Sequence, residues 1–165
     1  QVLSSDVPVV IDADALTIVG RDPDMVADRT APTVLTPHAG ELTRVLGLDA
    51  NERIQVEAQR LHFAQQAAQQ LHATVLLKGS TTVICAPDGL SRINSTGTSS
   101  LATAGSGDVL SGIAGALLAG GLSAFDAASC AAYLHGAAAR MASVGAPIIA
   151  DDIIANLAVA IASLY

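Results

Sequence analysis

Short, unbroken apolar runs recur along the chain, and polar residues follow them directly. The runs Val7–Ile11, Thr33–Thr36 and Thr74–Lys78 have the length and the β-branched content of strands buried on both faces of a parallel sheet. Two further runs, Thr81–Ala86 and Leu90–Asn94, flank a Pro-Asp-Gly tripeptide, which signals a turn because Pro restricts φ and Gly accepts the left-handed conformation. The pattern predicts a mostly parallel sheet with a β-hairpin.

Apolar residues at helical spacing occupy much of the remaining chain. The Gln- and Ala-rich segment Asn51–His72 predicts one amphipathic helix, and a second helix is predicted to follow Gly107 and to end at a Gly-Gly pair. A third helix is predicted to begin at Ser123, because Asp126 follows three residues later. The last helix is predicted over Asp151–Ser163, with acids in its first turn. His135, in the Ala-rich third helix, is expected to be a satisfied core or interface group. The residues expected to face inward are Ile54, Ala58, Leu61, Ala68 and Leu71 in the first helix and Ile153, Ile154, Leu157 and Ile161 in the last.

The order of these elements predicts the α/β class, as a three-layer α/β/α sandwich with helices on both faces of the sheet. Residues 1–165 have the size of one domain. Hydrophobic residues make up 51% of the chain and charged residues 14%, which excludes a disordered chain. Because the first strand starts within a few residues of Gln1, we expect the N-terminal part of the domain to be missing.

The charge pattern argues against nucleic acid as a partner. The formal net charge is -7, no long Lys/Arg run is present, and aromatic residues make up 2%, whereas nucleic-acid binding needs phosphate neutralisation and stacking. No stretch approaches eighteen strongly apolar residues and no signal peptide is visible, so no membrane partner is expected. Cys85 and Cys130 have neither metal-ligand spacing nor the density of a disulfide scaffold, which favours a reducing cytoplasm.

A loop rich in glycine and hydroxyl groups, residues Asn94–Asp108, directly precedes the second predicted helix. Free N–H groups of a first helical turn and the positive end of the helix dipole favour a phosphate, and Gly105 and Gly107 permit its close approach. Asp108 either only caps the helix or acts as a general base that takes a proton from a substrate hydroxyl; the dense glycines favour the base. No P-loop motif occurs, and the third glycine of a dinucleotide fingerprint is absent.

Further polar residues follow the ends of predicted strands. His38 either satisfies backbone groups of its own loop or contacts a ligand, and Glu41 is compatible with a first-turn acid that the helix dipole favours. Lys78 closes a buried strand, where a charge is costly unless it reaches water or an anion. Asp12 and Asp14 either bind metal or substrate or simply end the first strand.

The tetrapeptide Gly105-Ser106-Gly107-Asp108 resembles the G-[ATS]-G-D signature of ribokinase-like small-molecule kinases. Further segments narrow the resemblance, because they occur in the order found in NAD(P)H-hydrate dehydratases of that superfamily. These segments are Val10–Leu16, Thr36–Glu41, Leu77–Ser80 and Asn94–Gly97. The combination is more specific than any single motif, and the chain resembles the later portion of a ribokinase-like, ADP/ATP-dependent NAD(P)H-hydrate dehydratase.

This resemblance implies a repair reaction and a set of site residues. In that family ADP or ATP phosphorylates the extra ring hydroxyl of hydrated NADH or NADPH, and loss of phosphate restores the cofactor. Asp108 would be the catalytic base, and Mg²⁺ would accompany phosphoryl transfer. The residues implied in adenine-nucleotide binding are Lys78, Gly79, Ser80, Thr81, Thr82, Thr98, Ser99, Ser100, Leu101, Ala102, Thr103, Ala104, Gly105, Ser106 and Gly107, and those implied in binding the hydrated nicotinamide are His38, Gly40, Glu41 and Asp108.

The resemblance also concerns partners. Bacterial members of the family often carry an epimerase domain before this one, and we expect a homo-oligomer. Two other hypotheses stay open: a ribokinase-like kinase of a vitamin precursor or sugar, which shares the glycine-aspartate signature, and a nucleotide-binding module without catalysis.

Overall fold

Five strands form a single mixed sheet in this protein, described by a computed structural model over residues 2–143 and 146–165. The strands are β1 (Val9–Ile11), β2 (Thr33–Leu35), β3 (Thr74–Leu77), β4 (Thr82–Cys85) and β5 (Ser91–Asn94). They lie side by side in chain order; β1, β2 and β3 are parallel, whereas β4 is antiparallel to both β3 and β5. The predicted parallel strands and the β-hairpin are therefore confirmed.

Helices fill the connections and follow the sheet. They are α1 (Asp14–Arg21), α2 (Asp24–Ala27), α3 (Ala39–Val45), α4 (Arg53–Ala58), α5 (Arg60–Gln70), α6 (Ser106–Ala119), α7 (Ala124–Ala142) and α8 (Ala150–Ala162), with short 3₁₀ segments at Val2–Ser4, Ala50–Glu52 and Ser99–Leu101. Within the described residues, none of these helices combines the length and hydropathy needed to cross a membrane.

The helices cover both faces of the sheet and create two apolar cores. Val75 and Leu77 of β3 pack into a core with α1, α3 and α5, whereas Leu76 between them packs into a second core with α6 and α7. A strand whose successive residues all enter a core must be apolar throughout, which explains the unbroken run in the sequence. Helix α8 lies outside this second layer, where Ile153 packs against the end of α7. The α/β/α architecture is confirmed.

The boundaries of α6 and α7 follow from local sequence signals. Gly105 precedes α6 with φ of 81°, and Gly121 follows it with φ of 93°, a left-handed conformation that glycine adopts without strain. The side chain of Ser123 begins α7 by accepting a hydrogen bond from the backbone N–H of Asp126 at 3.1 Å. The predicted start of α7 at Ser123 is confirmed, whereas α6 begins at Ser106, slightly before the predicted start after Gly107.

The prediction of one helix over Asn51–His72 is wrong. The structure divides this segment into α4 and α5 at Gln59, whose φ of -123° and ψ of 45° are not helical. The break rotates α4 relative to the predicted face, so that Val56 is buried while Ile54 is 79% exposed. The predicted inward residues Ala58 and Leu61 are also exposed, whereas Ala68 and Leu71 are buried as expected. The residues that α4 and α5 bury instead are Val56, Phe63, Ala64 and Ala67.

The predicted inward face of α8 is correct only in part. Ile153 is fully buried and Leu157 is half-buried, but Ile154 and Ile161 are 53% and 44% exposed. The exposed pair lines an open apolar groove between α8 and α6. Helical spacing identified an apolar stripe, but it does not say how much of that stripe a neighbouring element covers.

Candidate active site

The topology gathers polar residues from four separate segments at one edge of the sheet. Parallel strands place their carboxyl ends together, and here Asp12 follows β1, His38 follows β2 and Lys78 follows β3. A parallel bridge between His38 and Lys78 extends the pairing beyond β2 and β3. The first turn of α6 meets the same edge, because a Cβ built on Gly107 would lie 3.6 Å from Nζ of Lys78. This is the usual position of a ligand site in an open α/β sheet.

The start of α6 has the properties of an anion site. Among the described residues, no acceptor receives the backbone N–H of Gly107 or of Asp108, so both donors are available to a ligand. The loop before the helix is closed by the Ser106 hydroxyl, which donates to the carbonyl of Leu101 at 2.7 Å. Free donors together with the positive end of a 14-residue helix favour a phosphate.

A cavity of about 560 Å³ adjoins this helix start. The residues lining it are His38, Lys78, Gly79, Ser80, Thr82, Thr98, Ser99, Leu101, Ala102, Ser106, Gly107, Leu110 and His135. Most of the residues predicted to bind a nucleotide are thus brought together, while Thr81, Ser100, Thr103, Ala104 and Gly105 lie outside the described lining. The volume is that of a small-molecule site.

Lys78 and Asp12 form a partly buried ion pair in the site. Nζ of Lys78 donates to Oδ1 of Asp12 at 2.7 Å, and the Ser111 hydroxyl donates to Oδ2 at 2.7 Å. Burial by itself would raise the pKa of Asp12, but the hydrogen bonds from Lys78 and Ser111 and the charge of Lys78 hold the pKa below its ordinary value. Asp12 is therefore an anion in the folded protein. Asp14, the other acid of this loop, is exposed at the start of α1.

The backbone between these two acids is strained. Ala13 has φ of 50° and ψ of -124°, a left-handed conformation that is unfavourable for a residue with a Cβ. Its N–H donates to Oδ1 of Asp12 at 2.9 Å. The strained turn therefore directs the Asp12 carboxylate towards the site.

His38 and Glu41 form a reciprocal cap at the start of α3. Nδ1 of His38 accepts from the N–H of Glu41 at 3.1 Å, and Oε2 of Glu41 accepts from the N–H of His38 at 2.7 Å. His38 thus satisfies a backbone group of its own loop, while its ring also lines the cavity, so its contact with a ligand stays a prediction. Gly40 lies under this ring, since a Cβ there would be 3.1 Å from Cε1 of His38.

Asp108 is exposed at the third position of α6 and is not sealed in the core. It does not line the 560 Å³ cavity; it borders the neighbouring apolar groove with Val109, Gly112 and Ile154. The two concavities lie on different faces of the same helical turn, with Gly107 on one and Asp108 on the other.

Two polar atoms in the cavity lining lack partners. Nε2 of His135 and Oγ1 of Thr98 are buried without a hydrogen bond among the described residues. His135 is 6% exposed, and burial lowers its pKa to about 4, which the Ser106 backbone opposes with a smaller effect. His135 is therefore buried as expected of a core group, but it is satisfied only in part, because Nε2 lacks the partner that buried polar atoms normally have. No local sequence signal distinguished His135.

The strand end leading to Thr98 is bound tightly to α7. The amide of Asn94 donates to the carbonyl of Ala132 at 3.0 Å, and Nε of Arg140 donates to the carbonyl of Thr96 at 2.7 Å. Gly136 allows this approach, because a Cβ on it would lie 2.1 Å from Oγ1 of Thr96. Helix α7 therefore sets the position of one wall of the cavity.

Comparisons with known proteins identify the family. The family described as NAD(P)H-hydrate dehydratase matches residues 1–156. The chain belongs to the NAD(P)H-hydrate dehydratase family. It is 44% identical over 167 residues to the "Bifunctional NAD(P)H-hydrate repair enzyme Nnr" of Mycobacterium leprae (strain TN), covering 98% of this chain and 34% of that protein. It is 43% identical over 155 residues to the "ADP-dependent (S)-NAD(P)H-hydrate dehydratase" of Neisseria meningitidis serogroup B, covering 90% of this chain and 51% of that protein.

A solved structure agrees with this assignment. The ADP/ATP-dependent NAD(P)H-hydrate dehydratase from Bacillus subtilis, co-crystallised with ATP/Mg²⁺, superposes with a TM-score of 0.84 at 32% identity, over 99% of this chain and 57% of that one. A ribokinase-like superfamily protein from Enterococcus faecalis V583 superposes with a TM-score of 0.70 at 26% identity. The predicted ribokinase-like fold is confirmed, and the chain spans between a third and three-fifths of the length of these dehydratase relatives.

Proposed function

We propose that this protein is part of a nucleotide-dependent dehydratase that repairs hydrated NADH or NADPH. The observation that carries the proposal is the start of α6, where Gly107, with an unpaired amide group, and Lys78 line a cavity of about 560 Å³, and Asp108, whose amide is also unpaired, is the next residue of the same helical turn. Family membership and the relatives' printed names supply the chemistry.

The cavity residues are suited to an adenine nucleotide. The free N–H groups of Gly107 and Asp108 and the ammonium of Lys78 would bind phosphate oxygens. The unpaired Thr98 and His135 atoms would gain partners from the ligand or from bound water. Gly97 keeps the wall close to the Lys78–Thr82 segment, since a Cβ there would lie 3.0 Å from the carbonyl of Ser80.

Mg²⁺ would enter with the nucleotide. No group of three or more His, Cys, Asp or Glu side chains that could hold a metal occurs within residues 2–143 and 146–165. Mg²⁺ in phosphoryl-transfer sites is commonly held by substrate phosphates with one or two carboxylates, and the exposed Asp108 could supply one. The metal would offset negative charge on the transferred phosphoryl group.

Asp108 and the amide groups of α6 would have different roles in the reaction. Asp108 would take the proton from the ring hydroxyl, whose oxygen then forms a bond to the terminal phosphorus while the nucleotide loses that phosphoryl group. The amide groups at the start of α6 would stabilise the charge that develops on the phosphate oxygens. Phosphate then leaves with the ring oxygen, and the neighbouring ring carbon gives up a proton as the double bond is restored.

A direct assay tests this function. The full-length protein would be incubated with NADH hydrate and Mg²⁺ in the presence of ADP, of ATP or of no nucleotide, while the absorbance of NADH is followed. We expect recovery only with nucleotide, with one phosphate released for each NADH restored. Phosphorylation of members of a small-alcohol panel without NADH recovery would instead support the kinase hypothesis, and ADP binding without any turnover would support a binding module.

Removing the proposed base gives a second test. We expect Asp108→Asn to abolish NADH recovery while ADP affinity, measured by calorimetry, stays within a few-fold, because the amide keeps the shape but cannot accept the proton. Asp151→Asn serves as control, since Asp151 is also an exposed first-turn acid, at the start of α8. Undiminished turnover in Asp108→Asn would remove the base assignment.

The proposal extends to the cellular setting of the protein. The Mycobacterium leprae relative is named a bifunctional repair enzyme, which supports a full-length protein that combines this domain with an epimerase. A cytoplasmic location fits substrates that are cytoplasmic cofactors, and a homo-oligomer is part of the same proposal.

A further inference from the structure

The chain contains a single lysine, and it lies in the site described above. Lys78 therefore provides the one side-chain ammonium group in a chain whose formal net charge is -7. Its side chain is 22% exposed and is paired with Asp12, whose side chain is 14% exposed. An acid that neutralises the ammonium beside a proposed phosphate site calls for an explanation, because it weakens the attraction for an anion.

The geometry leaves part of the ammonium free for a ligand. An ammonium group has three N–H donors, and one of them is directed to Oδ1 of Asp12 at 2.7 Å. The next carboxylate, Oε2 of Glu41, lies 3.8 Å away, which is beyond hydrogen-bond distance. Nζ stands beside Gly107, at 3.6 Å from a Cβ built there, so the remaining donors lie next to the free amide groups of α6.

The Asp12 carboxylate also accepts hydrogen bonds from two other segments of the chain. Oδ1 accepts the N–H of Ala13 at the strained turn after β1, and Oδ2 accepts the hydroxyl of Ser111, one turn into α6. Asp12 therefore connects the end of β1, the end of β3 and α6. Without it, Lys78 has Glu41 as its nearest anion, on the side of α3.

We propose that Asp12 is a positioning residue, which holds the ammonium of Lys78 against the first turn of α6 so that its free donors reach a phosphate oxygen. The proposal rests on the proposed function for the identity of the anion as a nucleotide phosphate. It predicts that removing a negative charge from the site weakens anion binding, because orientation contributes more than the repulsion that Asp12 exerts.

The sign of the effect on ADP affinity tests this proposal. If Asp12 affected ADP only by electrostatic repulsion of its phosphates, Asp12→Asn would tighten ADP binding, since the repelling charge is removed. If Asp12 positions Lys78, the same change weakens binding, and we expect about a tenfold increase in Kd. Asp14→Asn removes an equal charge from the same loop without touching Lys78, so its Kd should stay unchanged or fall slightly.

A readout in the ligand-free protein separates this proposal from the proposed function. With ¹⁵N-lysine, the ammonium of Lys78 gives an NMR signal that Lys78→Arg assigns, and hydrogen bonding to Asp12 protects its protons from exchange with water. We expect this signal in the wild-type protein and in Asp14→Asn, and its loss in Asp12→Asn. Loss of NADH recovery in every assay would not affect this result.

Ser111→Ala gives a milder variant in case Asp12→Asn does not fold. It removes one hydrogen bond to Oδ2 and leaves the ion pair, so we expect ADP binding to weaken about two- to threefold in the same direction. Unchanged or tighter ADP binding in Asp12→Asn, with the ammonium signal retained, would overturn the proposal. Equal weakening by Asp14→Asn would do the same.

Discussion

Gly136 offers a test of how α7 positions the wall of the cavity. A Cβ on Gly136 would lie 2.1 Å from Oγ1 of Thr96 and 2.7 Å from its carbonyl carbon. The Thr96 hydroxyl would have to move by roughly 1 Å to reach an ordinary contact, and the carbonyl carbon cannot move without the chain that Arg140 holds. Gly136→Ala should therefore push α7 and the Asn94–Gly97 segment apart.

The size of the effect can be worked from three contributions. Overpacking of this kind costs about 1–3 kcal/mol. Disturbing the hydrogen bond from Thr96 to Asn94, at 3.0 Å, adds about 1 kcal/mol. Replacing glycine by alanine within a helix stabilises the fold by about 1 kcal/mol and offsets part of this loss. The free energy of unfolding should fall by about 2 kcal/mol, and Tm by about 6 °C for a domain of this size.

Urea denaturation and thermal unfolding of Gly136→Ala would measure this loss. Gly115→Ala is the matched control, because Gly115 also lies inside a helix but has no atom within 4 Å of an added Cβ. It should raise the free energy of unfolding by up to about 1 kcal/mol. Thr96→Ala should rescue Gly136→Ala only in part, since it removes the 2.1 Å contact and leaves the backbone contact. A Gly136→Ala protein as stable as the wild type would refute the packing argument.

Two further predictions concern stability. His135 is neutral in the fold with a pKa of about 4, whereas in the unfolded chain it takes up a proton near pH 6.5; the stability it contributes is present above pH 6.5 and is lost as the pH falls towards 4. Urea denaturation of the wild-type protein should show that the free energy of unfolding falls by about 2 kcal/mol between pH 7.5 and pH 5, and this fall should be absent in His135→Gln. The same pH dependence in both proteins would contradict a neutral buried His135. Ala13→Gly should raise the free energy of unfolding by about 1 kcal/mol, because glycine removes the strain at φ of 50°, and a lower stability would show that the turn is not strained.

The sequence predicted most of the elements whose signals are local. Val75–Leu77 is apolar at every position because both faces of the strand enter cores, and the turn at Gly89 needs the φ of 93° that glycine supplies. The start of α7 was predicted for the same reason, since Ser123 acts on the adjacent turn, and the predicted start after Gly107 lies close to the observed start of α6 at Ser106.

Features that depend on distant parts of the chain were not predicted. Gln59 interrupts a segment rich in helix-forming residues, and neither Pro nor Gly marks the break. Asp12 and Lys78 are 66 residues apart, so their pairing follows only from the parallel order of β1, β2 and β3. His135 reaches the cavity because α7 crosses the sheet beside α6, and its Ala-rich surroundings are those of any packed helix.

In the proposed nucleotide site, the side-chain charges indicate that backbone groups would carry much of the phosphate binding. Asp12, Glu41 and Asp108 place three carboxylates near the start of α6, and Lys78 is the single ammonium among them. The charges of these four side chains alone would therefore repel a nucleotide. The free amide groups of α6 and a divalent cation bound to the phosphates would be further sources of attraction. Phosphate binding in the proposed site would therefore depend on the geometry of this turn, and hence on Gly105, Asp12 and the packing of α7 as well as on the groups that would meet the ligand.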